Sequence, residues 1–161
     1  MDKGIEARHL QEVVRSVCQG LDLWSPSAEN LLLGTAAQES HLGHYLKQLK
    51  KGPAIGIYQM EPDTWHDLHA HYLRYNTPLR NKLNQFVSPW GRLMGEMAMQ
   101  GNLNYATACA RLQYFRKPER LPAYDDIEGL ARYWKKHWNT VHGKGTVEEF
   151  IENYQRFLGE L

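Results

Sequence analysis

The chain is short of cysteine, of long apolar runs and of net charge, and each shortage excludes something. Two cysteines in 161 residues, Cys18 and Cys109, cannot build the disulfide framework of a small secreted scaffold. Both stand among apolar or small neighbours, where a free thiol behaves as a small buried hydrophobe. No stretch approaches the roughly 18 consecutive apolar residues of a membrane-spanning helix, so no membrane span is expected. A formal charge of +1, from 19 Lys+Arg and 18 Asp+Glu, gives no field of the kind that drives sequence-independent nucleic-acid binding. No nucleic-acid partner is expected. The opening residues, Met1 to Leu10, lack the apolar core of a secretory signal. This predicts synthesis in the cytoplasm, with any action beyond it depending on another route.

Strand signals are scarce as well, and the period that dominates is helical. Leu10, Val13, Val14, Val17, Cys18 and Leu21 follow one helix face, and Gly20 marks its end. Ser25 and Pro26 then supply an N-cap and a proline at the first helical position. The stretch that follows, up to Glu39, is apolar or small nearly all round, which predicts a central, buried helix. Residues 40–58 break the pattern with a basic turn and a short extended piece. Pro62 opens a further helix with Trp65, Leu68 and Tyr72 on one face. Ser88 and Pro89 open the next, with Trp90, Leu93, Met94 and Met97, and another spans about 104–116. Asp125 with Glu128, and Thr146 with Glu149, read as capping boxes opening the last two helices. The expected fold is mostly α, in a single domain over residues 1–161, with a small irregular or short-strand segment near residues 50–60.

Two places carry chemistry. Glu39 closes the apolar helix just before a loop rich in glycine and histidine. Burial and the negative end of the helix dipole both disfavour its ionised form. A carboxylic acid that stays protonated near neutral pH suits glycosidic cleavage, because the bridging oxygen leaves poorly until it is protonated. The bland alternative is a solvated glutamate after the last buried turn. The second place runs from Gly56 to Thr64. Gly56 permits close backbone approach, Gln59 offers donor and acceptor to amide and hydroxyl groups, and Tyr58 is a ring on which a sugar could stack. Its bland alternative is a loop-to-helix junction around a buried Met60.

Together, Glu39-Ser40 followed by Gly56, Ile57, Tyr58, Gln59, Pro62 and Thr64 resemble the motif pair of the soluble lytic transglycosylases, a branch of the lysozyme-like superfamily. That family has Glu-Ser at the end of a buried helix, then Gly-Leu-Met-Gln and a Pro-x-Thr helix start. The detailed resemblance covers roughly residues 28–68. The wider pattern, with a late TyrTrpLysLysHisTrpAsnThr, is similar to phage-encoded relatives. The resemblance implies a lysozyme-like α-domain, peptidoglycan glycan strands as substrate, Glu39 as acid and base, and no metal or cofactor. It also implies that Ser40 and Gln59 orient the acid and hold the sugar, and it adds other virion proteins as partners if the chain travels in a particle. In either setting it would act on the cell wall.

The family's third motif, Ala-Tyr-Asn, is altered. An approximate alignment puts Ala110 and Arg111 at the tyrosine and asparagine, with Tyr114 able to serve from one turn further on. Arg111 beside Glu39 would lower the pKa of the acid unless it grips a substrate carboxylate or carbonyl instead. A lytic transglycosylase needs one carboxyl group, whereas a hydrolase usually pairs it with a second. Glu61 and Asp63 are placed to supply one, although Asp63 in a first helical turn is simply favoured by the dipole. A third expectation keeps the scaffold as a glycan-binding virion module without catalysis. His66, His69 and His71 lack the partners of a metal set. His41 and His44 border Glu39, Lys47 to Lys51 form a solvated turn, and Trp24, Trp134 and Trp138 sit at core-like spacing.

Overall fold

The helix without a polar face takes the centre. In the computed structural model, which describes residues 4–161, helix α2 spans Pro26–Ser40, with the Ser25 hydroxyl accepting from the Ala28 amide at 3.0 Å. Leu31 through Ala37 are all buried. Helix α1 (Ala7–Gly20) lies against it through Leu10, Val14, Val17 and Cys18. The predicted cap and face of both helices hold.

The described residues form a mostly helical fold with no sheet. After α2 come α3 (Pro62–His71), α4 (Thr77–Asn84), α5 (Pro89–Leu93), α6 (Ala98–Gly101), α7 (Leu103–Phe115), α8 (Ile127–Trp134) and α9 (Val147–Leu158). Helices α1, α7, α8 and α9 surround α2, and one apolar cluster runs from Leu10 to Leu158. Helices α2 and α9 pack closely along their length. A Cβ on Gly34 would stand 2.3 Å from the Phe150 ring, so the glycine is what lets α9 lie so near. Helix α9 opens as expected, with Thr146 Oγ1 accepting from the Glu149 amide at 3.1 Å.

One expectation is corrected. The cap of α8 is Asp126, whose carboxylate accepts from the Gly129 amide at 2.9 Å, and not Asp125. The expected irregular or short-strand segment is present as single antiparallel bridges, Lys47 with Ile55 and Ile55 with Met60. Between them Gly56 (φ +81°) and Gln59 (φ +49°) close a tight turn. The apolar face that begins at Trp90 is not buried: Trp90 and Leu93 are 76 % and 80 % exposed. Four apolar positions at helical spacing show that a face exists, but not that another element covers it.

Helix α8 runs into a single π turn, Lys135–Asn139, the kind of widening that recurs at functional sites. Lys135 Nζ donates to Asn139 Oδ1 at 2.6 Å and to the carbonyls of Gly143 and Gly145 at 3.0 and 2.7 Å. Those bonds draw the 143–145 loop over the Trp134 ring, and a Cβ on Gly145 would lie 2.6 Å from it.

Candidate active site

The last turn of α2 sets the site. Its C-cap residue, His41, is left-handed (φ 51°), as is Leu42 after it (φ 57°), and the chain turns away at once. Ser40 is wholly buried and ties this end to the 56–59 turn. Its hydroxyl donates to the carbonyl of Ile57 at 2.5 Å and accepts from the Gly43 amide at 2.8 Å. Gly56 is required on the other side, since a Cβ there would meet the carbonyl oxygen of Met99 at 2.6 Å. Gln59 Nε2 donates to the Gly56 carbonyl at 2.9 Å, so the turn is locked from within.

Glu39 is half-buried at this junction. Its Oε1 accepts the indole N–H of Trp134 at 3.1 Å, and Trp134 is itself wholly buried against Phe150, ring centroids 5.4 Å apart. Burial pushes the Glu39 pKa up to about 7, the Trp134 N–H pulls against that, and the charge of Glu61 adds to the rise. Among the described residues no arginine or lysine moves it. One turn earlier on α2, Thr35 Oγ1 shares a 2.7 Å hydrogen bond with the Tyr114 hydroxyl and donates to the Leu31 carbonyl or to that hydroxyl as the proton is placed. Burial holds Tyr114 well above its ordinary pKa, and the Glu39 charge adds to that effect, so this phenol stays neutral below the acid. Trp138 stacks on Tyr114 at 5.0 Å.

The structure brings together Glu39, Ser40, the Gly56–Gln59 turn, Glu61 and Tyr114. It corrects what several of them can touch. Ser40, Tyr58 and Tyr114 are at most 1 % exposed, so they shape the site without meeting a ligand. Tyr58 points into the core, its hydroxyl 2.9 Å from Thr107 Oγ1, and is no stacking platform. Gln59 keeps partial exposure beside the acid. Glu61 is exposed at the start of α3, and Asp63 occupies its first turn.

Arg111 is not beside Glu39. Its Nε donates to the Leu23 carbonyl at 3.0 Å, before the start of α2, while Glu39 lies in the last turn of that helix. His41 packs its ring on Phe157 at 5.0 Å and His44 is exposed. His66 lies 3.4 Å from Glu96, and the His69 ring is 2.9 Å from the Trp65 carbonyl. Among the described residues no group of His, Cys, Asp and Glu is arranged to hold a metal ion, and no helix is long and apolar enough to cross a membrane. Two concavities stand out on the surface, and Glu39 lines neither.

Trp134 is the residue that sequence reasoning read as packing alone. Its position on the inner face of α8 was visible in the sequence; that its one polar atom would meet Glu39, 95 residues away, was not. Comparison with known protein families, with curated proteins and with solved structures returns no match.

Proposed function

We propose that this chain cleaves the β-1,4 bond between N-acetylmuramic acid and N-acetylglucosamine in peptidoglycan, as a lytic transglycosylase with Glu39 as general acid and then base. The observation that carries the reading is the state of Glu39: a pKa raised to about 7 by burial, with no cation among the described residues to pull it down. Such a group is half-protonated at neutral pH, where a general acid works best. It sits where the Glu-Ser and Gly-x-x-Gln segments meet, the same pair on which the resemblance to the transglycosylases rests.

In this reading Glu39 protonates the bridging oxygen as the glycosidic bond breaks. The resulting carboxylate then takes the proton of the muramyl 6-hydroxyl, whose oxygen closes on the anomeric carbon and gives a 1,6-anhydro ring. Proton count returns to its start, and no second carboxylate is needed. Trp134 holds the acid's orientation through Oε1, which leaves the other oxygen to carry the proton. Gln59 presents polar atoms to an acetamido or hydroxyl group.

Hydrolysis is the second reading, favoured by one observation: the Glu61 charge is felt at Glu39, and Glu61 is exposed to solvent from which a water could be drawn. Digestion of purified sacculi followed by product mass decides between the two. Anhydro products, lighter by one water, are expected; reducing ends would assign the hydrolase. If Glu39→Gln releases fragments at the wild-type rate, or if the wild-type chain binds cell walls and releases none, the catalytic reading fails.

A further inference from the structure

The opposite end of α2 carries a second feature. A cleft of about 570 Å³ opens between the start of that helix, the end of α7 and the loop that follows. Arg111 lines it while only 7 % exposed. Its Nε bonds the Leu23 carbonyl, and the guanidinium lies 5.4 Å from the centre of the Phe115 ring. No carboxylate reaches it, and its terminal amino groups have no protein acceptor among the described residues.

A buried cation without a counter-charge is costly. Burial draws the Arg111 pKa below its ordinary value, yet a guanidinium remains charged in proteins. Lys117 and Arg120 line the same cleft, so three cations share it. The acid there, Glu119, is already taken: Lys136 lies 2.9 Å from its carboxylate, and the His137 ring contacts the same oxygen. The Ser25 hydroxyl accepts from Ala28 and keeps its own proton free to donate, at the positive end of the α2 dipole. The remaining wall is apolar, with Leu121 and Pro122.

We propose that this cleft binds a carboxylate carried on a small, partly apolar body, of the kind found at the C-terminus of a short peptide. Arg111 grips the two oxygens, the geometry for which a guanidinium is suited, and Lys117 and Arg120 supply the surrounding charge. The apolar wall favours such a body over a bare phosphate. If the reading of Glu39 holds, the peptide is a stem peptide of peptidoglycan. The cleft and the acid share a wall, since Tyr114 lines the cleft and its hydroxyl reaches Thr35, one turn before Glu39. That identity rests on the proposed function; the binding itself does not.

The test uses the full chain and no glycan. N-acetyl-alanyl-alanine, its C-terminal amide and inorganic phosphate are titrated separately by calorimetry and by NMR shifts of the α7 amides. The free acid is expected to saturate the cleft, the amide to bind at least ten-fold more weakly, and phosphate to bind more weakly than the acid. Arg111→Met removes binding, and Arg120→Ala, a change at an exposed position, weakens it several-fold. If Arg111→Met does not fold, Arg111→Lys and Arg120→Ala carry the test. Equal binding of acid and amide, phosphate as tight as the acid, or unchanged affinity in Arg120→Ala with no saturable binding lost in either Arg111 variant, overturns the proposal. Because the titration does not involve Glu39, a negative result leaves the catalytic reading standing, and an inactive enzyme leaves this one standing.

Discussion

Two glutamates stand near the opposite ends of α2, each accepting a tryptophan N–H, and they are driven in opposite directions. Glu29 is 5 % exposed and receives Arg15 Nε at 2.7 Å, Arg15 Nη2 and Trp24 Nε1 at 2.9 Å, and Gln11 Nε2 at 3.2 Å. Burial pushes its pKa up, but those donors and the Arg15 charge outweigh it, and the carboxyl settles below the ordinary value. Among the described residues Glu39 has one side-chain donor and no cation, and burial wins. Position along the helix reinforces the contrast, since Glu29 lies at the positive end of the dipole and Glu39 at the negative end. Burial alone therefore does not make a proton donor. Burial without a counter-charge does.

The largest expected effect tests the catalytic half of that contrast. Glu39→Gln keeps the shape and the Trp134 contact but removes the transferable proton. General acid–base groups contribute about 10²- to 10⁴-fold, and release of soluble fragments from sacculi is expected to fall within that range. Glu29→Gln, at the other end of the helix, should leave turnover per folded molecule unchanged.

Next is the turn that faces the acid. Gly56→Ala puts a side chain at φ +81° and 2.6 Å from the Met99 carbonyl. A loss of about 1–3 kcal/mol is expected, read from the denaturant midpoint, with activity falling further because the turn must shift away from Glu39. An unchanged midpoint would show that the turn is looser than its geometry.

The pH dependence of stability separates the two glutamates directly. Glu39 has a folded pKa near 7 against an ordinary 4.5, so the folded chain holds its proton more tightly. Its contribution is complete below about pH 4.5 and is lost as pH rises through 7, up to roughly 3 kcal/mol. Glu39→Gln should thus be more stable than the wild type above pH 7, and the difference should vanish in acid. Glu29, shifted down, contributes in the opposite sense: its stabilisation is present above the ordinary value and is lost as pH falls through the lowered one. Denaturation at a series of pH values, with each glutamine variant compared to wild type, checks both signs.

Two smaller effects sharpen the comparison. Trp134→Phe keeps a ring against Phe150 but removes the indole donor that opposes the rise at Glu39; the alkaline limb of the pH–rate profile should move up. Arg15→Met removes the cation from Glu29 and should raise that carboxyl toward the behaviour of Glu39, read from its carboxyl carbon by NMR. Arg15 is half exposed, so solvent screens much of the pair and the shift should be the smallest of the set.

Much of the framework was legible in the sequence because its signals are local. The Ser25–Pro26 start, the all-round apolar run of α2, the Thr146 cap and the i, i+3, i+4 face of α1 each concern residues within a few turns of one another. Glu39 was visible for the same reason, as an acid at the end of a buried helix. The misreadings share the opposite cause. Tyr58 looked like a sugar platform because a loop tyrosine gives no local sign of which way it points, and Thr107, 49 residues on, drew it inward.

What the chain determined from its own order of residues was where helices begin and end, and that one of them must be central: caps, prolines and hydrophobic period act over a few residues and need no partner. What only the assembled fold decided was the electrical fate of its glutamates. Arg15 lies 14 residues from Glu29 and Trp134 lies 95 from Glu39, and nothing local specifies either meeting. A carboxyl group's pKa depends on what surrounds it within a few ångströms, and only the packing of α1, α2 and α8 brings those surroundings into being.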